Sequence, residues 1–356
     1  MLPISPEWKC WIRVRQIKLV GLGFFSALFF IPTLFPLRIA TAQATSQKFP
    51  IVYSPHYDIS FFGIEKFHPF DSRKYGKIYR HLIKAGWQKE IFYEPPQASK
   101  EDLLLVHSAE YLDSLKDSKA VARIAELPTL AFLPNFLLQK NLLEPMNYGA
   151  GGTILASQLA LKNGWSINLS GGYHHAKADS GGGFCFFADV PIAIRKLMKE
   201  HPDMTYLIID LDAHQGNGHE SVLKDDPRVS IFDVYNGQIY PGDTEAKQYI
   251  DFDFPVRSGI KDVEYLELIN KKVPKVIEKV KPGIIFYIAG TDVFEEDPLG
   301  MMKVSQAGII KRDEIVFRAA RNRKIPIVMV LGGGYTKKNA SNIAESIQNL
   351  LANVLR

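Results

Sequence analysis

The chain has 356 residues, 46% of them hydrophobic and 23% charged, a composition that suits a globular protein with one large core. Its formal charge is +5, but Lys9, Arg13, Arg15, Lys18 and Arg38 against Glu7 place +4 of that in the first 44 residues. The rest carries no stripe of Lys and Arg that would release counterions from a phosphate backbone, so direct nucleic-acid binding is not expected. Cys10 lies in the leader and Cys185 is the only cysteine beyond it, so no disulfide is available to residues 45–356. In its Gly-Phe-Cys-Phe-Phe setting, Cys185 is expected to be a small buried hydrophobe and not a nucleophile.

Residues 19–37 carry no charge, follow a basic segment and precede Ala42-Gln43-Ala44, the small-residue pattern that signal peptidase cuts after. An export signal over residues 1–44 is therefore expected, giving a periplasmic or secreted protein. The run is also long enough to serve as an uncleaved membrane anchor, although Pro32, Pro36 and the glycines disfavour a stable spanning helix. Membrane contact is expected only through this segment. Beyond it, short β-rich runs alternate with longer amphipathic ones, without repeats or linkers. In chain order the pattern predicts a strand over 51–53, helices over 72–85 and 100–116, a strand over 166–169 and a helix over 188–199. Strands over 205–210 and 229–233, a helix over 262–280, a strand over 283–289, a helix over 305–323, a strand over 325–331 and a helix over 338–354 follow. This is α/β alternation in a single unit, residues 45–356.

The polar residues fall where these strands stop. Ser166-Ile-Asn-Leu runs into Gly171-Gly-Tyr-His174-His175, Tyr206-Leu-Ile-Ile into Asp210-Leu-Asp212-Ala-His214, Ile284-Ile-Phe-Tyr-Ile into Gly290-Thr-Asp292, and Ile327-Val-Met-Val-Leu into Gly332-Gly-Gly-Tyr335. In α/β sheets, ligands bind beyond the carboxyl ends of the strands, so these four segments are expected to share one crevice. Asp212 and His214, two apart on extended chain, point the same way. With Asp292 they would form a mixed oxygen and nitrogen set with an open position, which suits catalytic zinc, although other divalent metals use such ligands. The tandem histidines and the tyrosine complete what metal-assisted amide hydrolysis needs. His175 is expected to be the principal acid and base, with His174 assisting electrostatically. Tyr335 is expected to donate to the developing oxyanion. Asp210 is expected to accept from His174, and the uncharged Asn217 to orient His175.

Gly171-Gly-Tyr-His-His-Ala, Gly181-Gly-Gly-Phe-Cys, Asp210-Leu-Asp-Ala-His-Gln-Gly-Asn-Gly, Gly290-Thr-Asp292 and Gly332-Gly-Gly-Tyr335 together resemble the histone deacetylase superfamily, from about residue 50 to the C-terminus. His68-Pro-Phe-Asp71, Asp233-Val-Tyr-Asn, Ile239-Tyr-Pro-Gly-Asp243 and Asp297-Pro-Leu-Gly300 are most similar to its class IV. The resemblance implies the arginase/deacetylase fold, a three-layer αβα domain around a mostly parallel sheet, with zinc on Asp212, His214 and Asp292. It implies that Gly183, Phe184 and Tyr240 line a tunnel for an acylated lysine-like chain. A structural potassium ion on Asp210, Asp212, His214, Asp233 and the backbone of Val234 is also implied. Gln215 stands where class I carries a second histidine and Asn217 where it carries an aspartate, departures that fit class IV and its preference for long fatty-acyl groups.

The implied activity is removal of acetyl or longer acyl groups from the lysine side-chain amide of a protein or peptide. Two alternatives stay open: an amidohydrolase of small acylated amines such as acetylpolyamines, which an acidic tunnel mouth would favour, and a non-catalytic acyl-ligand binding protein, which the complete set of catalytic residue types disfavours. The leader points across a membrane while histones do not lie there, so either the substrate is not histone or the protein is delivered elsewhere.

Overall fold

Runs of Ile, Val, Leu and Phe with no polar alternation make strands that need cover on both faces, and a parallel sheet between two helical layers supplies it. The computed structural model describes residues 49–60, 63, 65 and 70–355; the expected leader lies outside the described residues, as do His68 and Pro69. Its strands are β1 (Ile51–Val52), β2 (Trp165–Asn168), β3 (Tyr206–Asp210), β4 (Val229–Asn236), β5 (Phe252–Val256), β6 (Ile284–Ile288) and β7 (Ile327–Val330). They form one sheet in the order β1-β2-β7-β6-β3-β4-β5. Every pairing is parallel, where a mostly parallel sheet was expected. Along β3, Tyr206 and Ile208 enter the apolar layer on one face while Leu207 and Ile209 enter the other. No helix among the described residues is long and apolar enough to cross a membrane.

Six of the strands are those the pattern predicts, with ends shifted by a residue or a few. β5 is not among them: Phe252-Asp-Phe-Pro-Val is only partly buried, and its Pro255 is tolerated because β5 closes the edge of the sheet. The helix expected over 100–116 is two short helices, Lys100–Leu103 and Ala109–Ser114. Ser108 is extended and its side chain accepts from the amide of Tyr111, so it caps a new helix instead of continuing the old one. The helix Glu144–Asn163, which carries Gly149, Gly151 and Gly152 within its length, is not among the predicted elements. Those glycines are contact points: a Cβ on Gly151 would lie 2.0 Å from the carbonyl oxygen of Pro96, and one on Gly152 would lie 2.1 Å from the hydroxyl of Tyr57. Glycine here costs some helix propensity and lets the helix lie close on its neighbours.

One buried ion pair ties the helical layer to the ends of the central strands. Arg312, wholly buried on the helix Gln306–Arg321, donates to the carbonyls of Gly290 (2.6 Å), Leu211 (3.2 Å) and Ala289 (3.2 Å) and to Asp313 (2.9 Å). Asp313 also accepts from the hydroxyls of Tyr287 and Ser346, both at 2.5 Å. The carbonyls that lose their ladder partners where β3 and β6 stop are thus satisfied by one guanidinium. Arg312→Ala is expected to destabilise the protein by about 3–5 kcal/mol in urea unfolding, because it leaves Asp313 charged and buried without its cation. A loss below about 1 kcal/mol would mean that the strand ends find other partners.

Candidate active site

Five strands deliver polar residues to one end of the sheet. β2 leads to His174 and His175, β3 to Asp212 and His214, β4 carries Asp233, β6 leads to Asp292 and β7 to Tyr335. Register sets Asp210 beside Asp233 on one side and Ile288 on the other, so the acidic ends of β3 and β4 are level. Glycine opens the space between them. A Cβ on Gly290 would meet Asp212 Oδ2 at 2.1 Å, and one on Gly333 would meet Asp292 Oδ2 at 2.3 Å.

Asp212, His214 and Asp292 each aim one ligand atom at a common point, all within 4.8 Å of one another, and all three are buried. His214 Nδ1 lies 2.9 Å from Asp292 Oδ2 and 3.1 Å from Asp212 Oδ1. The remaining oxygens are held by backbone amides, Asp212 Oδ2 by Gly333 (2.6 Å) and Asp292 Oδ1 by Ala213 (2.8 Å). Burial and the adjoining Asp212 carboxylate push Asp292 up to about 7. Two carboxylates forced together beside an imidazole, with their outer oxygens already committed, are a donor set that fits a divalent cation.

The two adjacent histidines are in opposite electrostatic states. Burial disfavours a charge on His174, but the carboxylates of Asp210 and Asp212 outweigh it and push the ring up to about 9. Its Nδ1 donates to Asp210 Oδ2 at 2.8 Å. His175 is held well below the ordinary range by burial and by His174 and His214, so it is neutral. Its tautomer follows from its partners. Asp243 only accepts, and it accepts from Asn217 Nδ2 at 3.0 Å and from Lys177 at 2.7 Å. That leaves Asn217 Oδ1 for His175 Nδ1 at 2.8 Å; Nδ1 carries the proton and Nε2 is free as a base. Gln215 grips the same Asp243 loop, donating to its carbonyl (3.1 Å) and accepting from its amide (3.1 Å).

A pocket of ≈ 200 Å³ opens over this group, lined by His175, Gly183, Phe184, His214, Tyr240 and Tyr335, with Glu126 at its rim. His175 and Tyr240 meet edge to face with ring centroids 5.0 Å apart, and Phe184 and Tyr335 likewise at 6.1 Å. A Cβ on Gly183, which has φ +50°, would lie 2.4 Å from His175 Cδ2, so the tunnel wall needs glycine there. The Tyr335 amide is pinned to Asp297 Oδ2 at 2.8 Å. Burial pushes its phenol well above the ordinary value, with Asp292 and Asp212 adding to the effect, so the hydroxyl keeps its proton and is a donor. Below, Phe184, Phe70 and Met146 line both a ≈ 30 Å³ space under the histidines and a further apolar cavity of ≈ 50 Å³. Cys185 is buried, its thiol raised by that burial, in keeping with a packing role.

The expected site residues converge, with one qualification: Asp210 and Asp233 lie beside Asp212, His214 and Asp292 and join a second group that includes His219, while Val234 packs in the core behind them. Sequence reasoning missed four contributors. His219 and Glu220 directly follow the Asp210 motif on the helix Asn217–Leu223, and that adjacency was the available signal. Arg312 carries none. Lys74 is buried at the start of the helix Lys74–Lys84 and donates to the carbonyls of Gly332 (2.7 Å) and Gly333 (3.3 Å), steadying the turn that presents Tyr335. Burial draws its ammonium down to about 8 against the pull of Asp292 and Asp212.

The Histone deacetylase domain family model matches residues 68–351. Histone deacetylase 2 of Arabidopsis thaliana is 50% identical over 304 residues, covering 85% of this chain and 79% of the relative. An uncharacterized protein of Picosynechococcus is 33% identical over 294 residues, covering 81% of this chain and 93% of the relative. Human histone deacetylase 1 is 27% identical over 321 residues, covering 85% of this chain and 64% of that protein. Among solved structures, the crystal structure of the HDA15 HD domain superposes with a TM-score of 0.68 at 20% identity, covering 86% of this chain and 91% of that one, and so shares its fold. On the strength of the family match and of these relatives, the chain belongs to the histone deacetylase family and is a hydrolase.

Proposed function

We propose that the chain is a zinc-dependent lysine deacylase of class IV type, hydrolysing the side-chain amide of acylated lysine in proteins or peptides. The observation that carries this reading is the placement of a neutral, Asn217-oriented His175 across one pocket from Tyr335 and beside the Asp212, His214 and Asp292 trio. Those three residues would hold the zinc. When bound, it supplies a Lewis acid that polarises the amide carbonyl and lowers the pKa of the attacking water. His175 Nε2 takes the water's proton and returns one to the departing amine. His174, kept cationic by Asp210, stabilises the negative charge that develops, and Tyr335 donates its hydroxyl to the oxyanion. Gly183, Phe184 and Tyr240 enclose the lysine stem. An acyl chain longer than acetyl would continue past Phe184 toward Phe70 and Met146 into the apolar space beyond.

A second reading, hydrolysis of small acylated amines, is favoured by one observation: Glu126 places a carboxylate at the pocket mouth, where a second ammonium would sit. We also propose that residues 1–44 form an export signal, or an anchor if uncleaved. An amino terminus at Thr45 in protein recovered from the native host supports cleavage, and an intact Met1 would leave the anchor.

The deciding experiment compares hydrolysis of acetyl-, octanoyl- and myristoyl-lysine peptides and of an acetylated polyamine. Turnover is expected on the peptides, lost with chelator and restored by zinc. His175→Ala should lower kcat/KM by about 10²–10⁴, and Tyr335→Phe should lower kcat by about 10²–10³. Turnover of the polyamine alone would select the second reading; no turnover by metal-loaded protein on any substrate contradicts both. Because His175 titrates well below 6.5 and His174 at about 9, activity should be full between those limits, falling as pH drops through the His175 value and again as it rises through about 9. Asp243→Ala removes the acceptor that fixes Asn217. A loss of about 10–100-fold in kcat with little change in KM is expected, and an unchanged kcat would show that Asn217 holds its orientation unaided.

A further inference from the structure

Lys177 follows closely on His175 in the chain, yet its side chain reaches the far end of the hydrogen-bond chain that orients that ring. Its Nζ donates to Asp243 Oδ2 at 2.7 Å, and the same oxygen accepts from Asn217 Nδ2 at 3.0 Å, whose Oδ1 faces His175 Nδ1 at 2.8 Å. Two donors thus converge on one carboxylate oxygen, so the position of the cation sets the position of the oxygen to which Asn217 donates. Asp243 Oδ1 is held by the amide of Ala246 at 3.0 Å. This is not an open surface pair, since the Asp243 side chain is 18% exposed and that of Lys177 36%. Burial opposes the charge on Asp243, yet the Ala246 amide, Lys177 and Asn217 outweigh it and draw the carboxyl down to about 2. Asp243 is therefore an anion throughout the neutral range, and among the described residues Lys177 is the one cation paired with it.

The pair also joins two loops. The Lys177 amide donates to the carbonyl of Ser180 at 2.8 Å, making the turn that leads to Gly183 and Phe184, and Asp243 ends the run that carries Tyr240. Gly183, Phe184 and Tyr240 all line the pocket over His214. A Cβ on Gly182 would lie 3.3 Å from Tyr240 Oη, so the loops pass close there. We propose that Lys177 is a positioning residue for hydrolysis: its ammonium fixes Asp243 and, through Asn217, holds His175 in the tautomer that leaves Nε2 free. Without the cation, the partly exposed carboxylate turns toward water and stops dictating which end of the Asn217 amide faces His175. A reversed amide presents Nδ2 to His175 Nδ1 and demands the opposite tautomer, with the proton on Nε2 and no base there. The inference rests on the acyl-lysine reading in taking His175 as that base.

The test compares Lys177→Met, which keeps a stem of similar length without the charge, with Lys177→Arg, which restores a cationic donor, in the zinc-loaded full-length chain acting on the acyl-lysine peptides. Lys177→Met is expected to lower kcat about 10-fold while KM stays within about 2-fold. Its Tm should fall by no more than about 2–4 °C. Lys177→Arg should recover most of kcat. In an Asp243→Ala background, Lys177→Met should lower kcat no further, because both residues act through one oxygen. An unchanged kcat in Lys177→Met overturns the inference, as does a raised KM with kcat intact, which would leave the pair shaping the tunnel alone, or a loss that Lys177→Arg does not recover. His175→Ala keeps the two readings apart. Full activity in that variant means that the assignment of the base has failed, whereas activity lost in His175→Ala and kept in Lys177→Met refutes the role of Lys177 alone. Should the wild type turn over none of the peptides, nitrogen NMR of isotope-labelled histidine decides, with His175 assigned from the His175→Ala spectrum. A proton on Nδ1 in the wild type and a mixture of tautomers in Lys177→Met are expected; a proton on Nδ1 alone in both overturns the inference.

Discussion

The burial of carboxylates at the carboxyl end of a parallel sheet is the constraint that the rest of the molecule answers to. Asp210, Asp212, Asp233 and Asp292 are all fully buried there, and a buried carboxylate must be protonated, hydrogen-bonded or paired with a cation. Each device found around the site meets that demand. Backbone amides of Ala213, Gly216 and Gly333 hold one oxygen each, and the glycine turns make the approach of those amides sterically feasible. Arg312 and Lys74 donate to carbonyls just behind the acids, and the Lys74 ammonium also attracts Asp292 and Asp212 through space.

Chemistry follows from how unevenly that demand is met. Around Asp210 the balance is struck with a proton on His174; around Asn217 it is struck without charge, and His175 stays neutral. One pair of adjacent residues thereby holds an acid and a base at the same pH, the separation that amide hydrolysis requires. The Asn217 amide transmits orientation from Asp243 to His175 without lending it a negative charge. Gln215, the other departure from the class I pattern, anchors the same Asp243 loop, so the two substitutions act on one element.

Much of this was legible from the residues, because strands buried on both faces cannot hide polar side chains within their length. Asp212, His214, His174, His175, Asp292 and Tyr335 stood out by lying just past apolar runs. The same logic located six strands and failed for β5, whose edge position relaxes its pattern. The 144–163 helix was hidden by glycines that serve close packing, and the 100–116 helix was divided by a serine whose capping role depends on the extended backbone around it. Lys74 and Arg312 were invisible for a different reason. Their side chains are of types that ordinarily face solvent, and only tertiary structure shows that each is aimed inward at unpaired carbonyls. His219 and Glu220 were adjacent to the motif and were passed over because a helix start after a metal motif carries no periodicity of its own.

Joint holding of a divalent ion by Asp212, His214 and Asp292 is tested most directly by zinc-edge anomalous diffraction from crystals of the zinc-loaded chain. It predicts a strong peak bonded to one oxygen of each aspartate and to Nδ1 of His214, at about 2.0–2.2 Å from each. A map with no peak among these three residues, or with His214 turned away from it, would contradict the account.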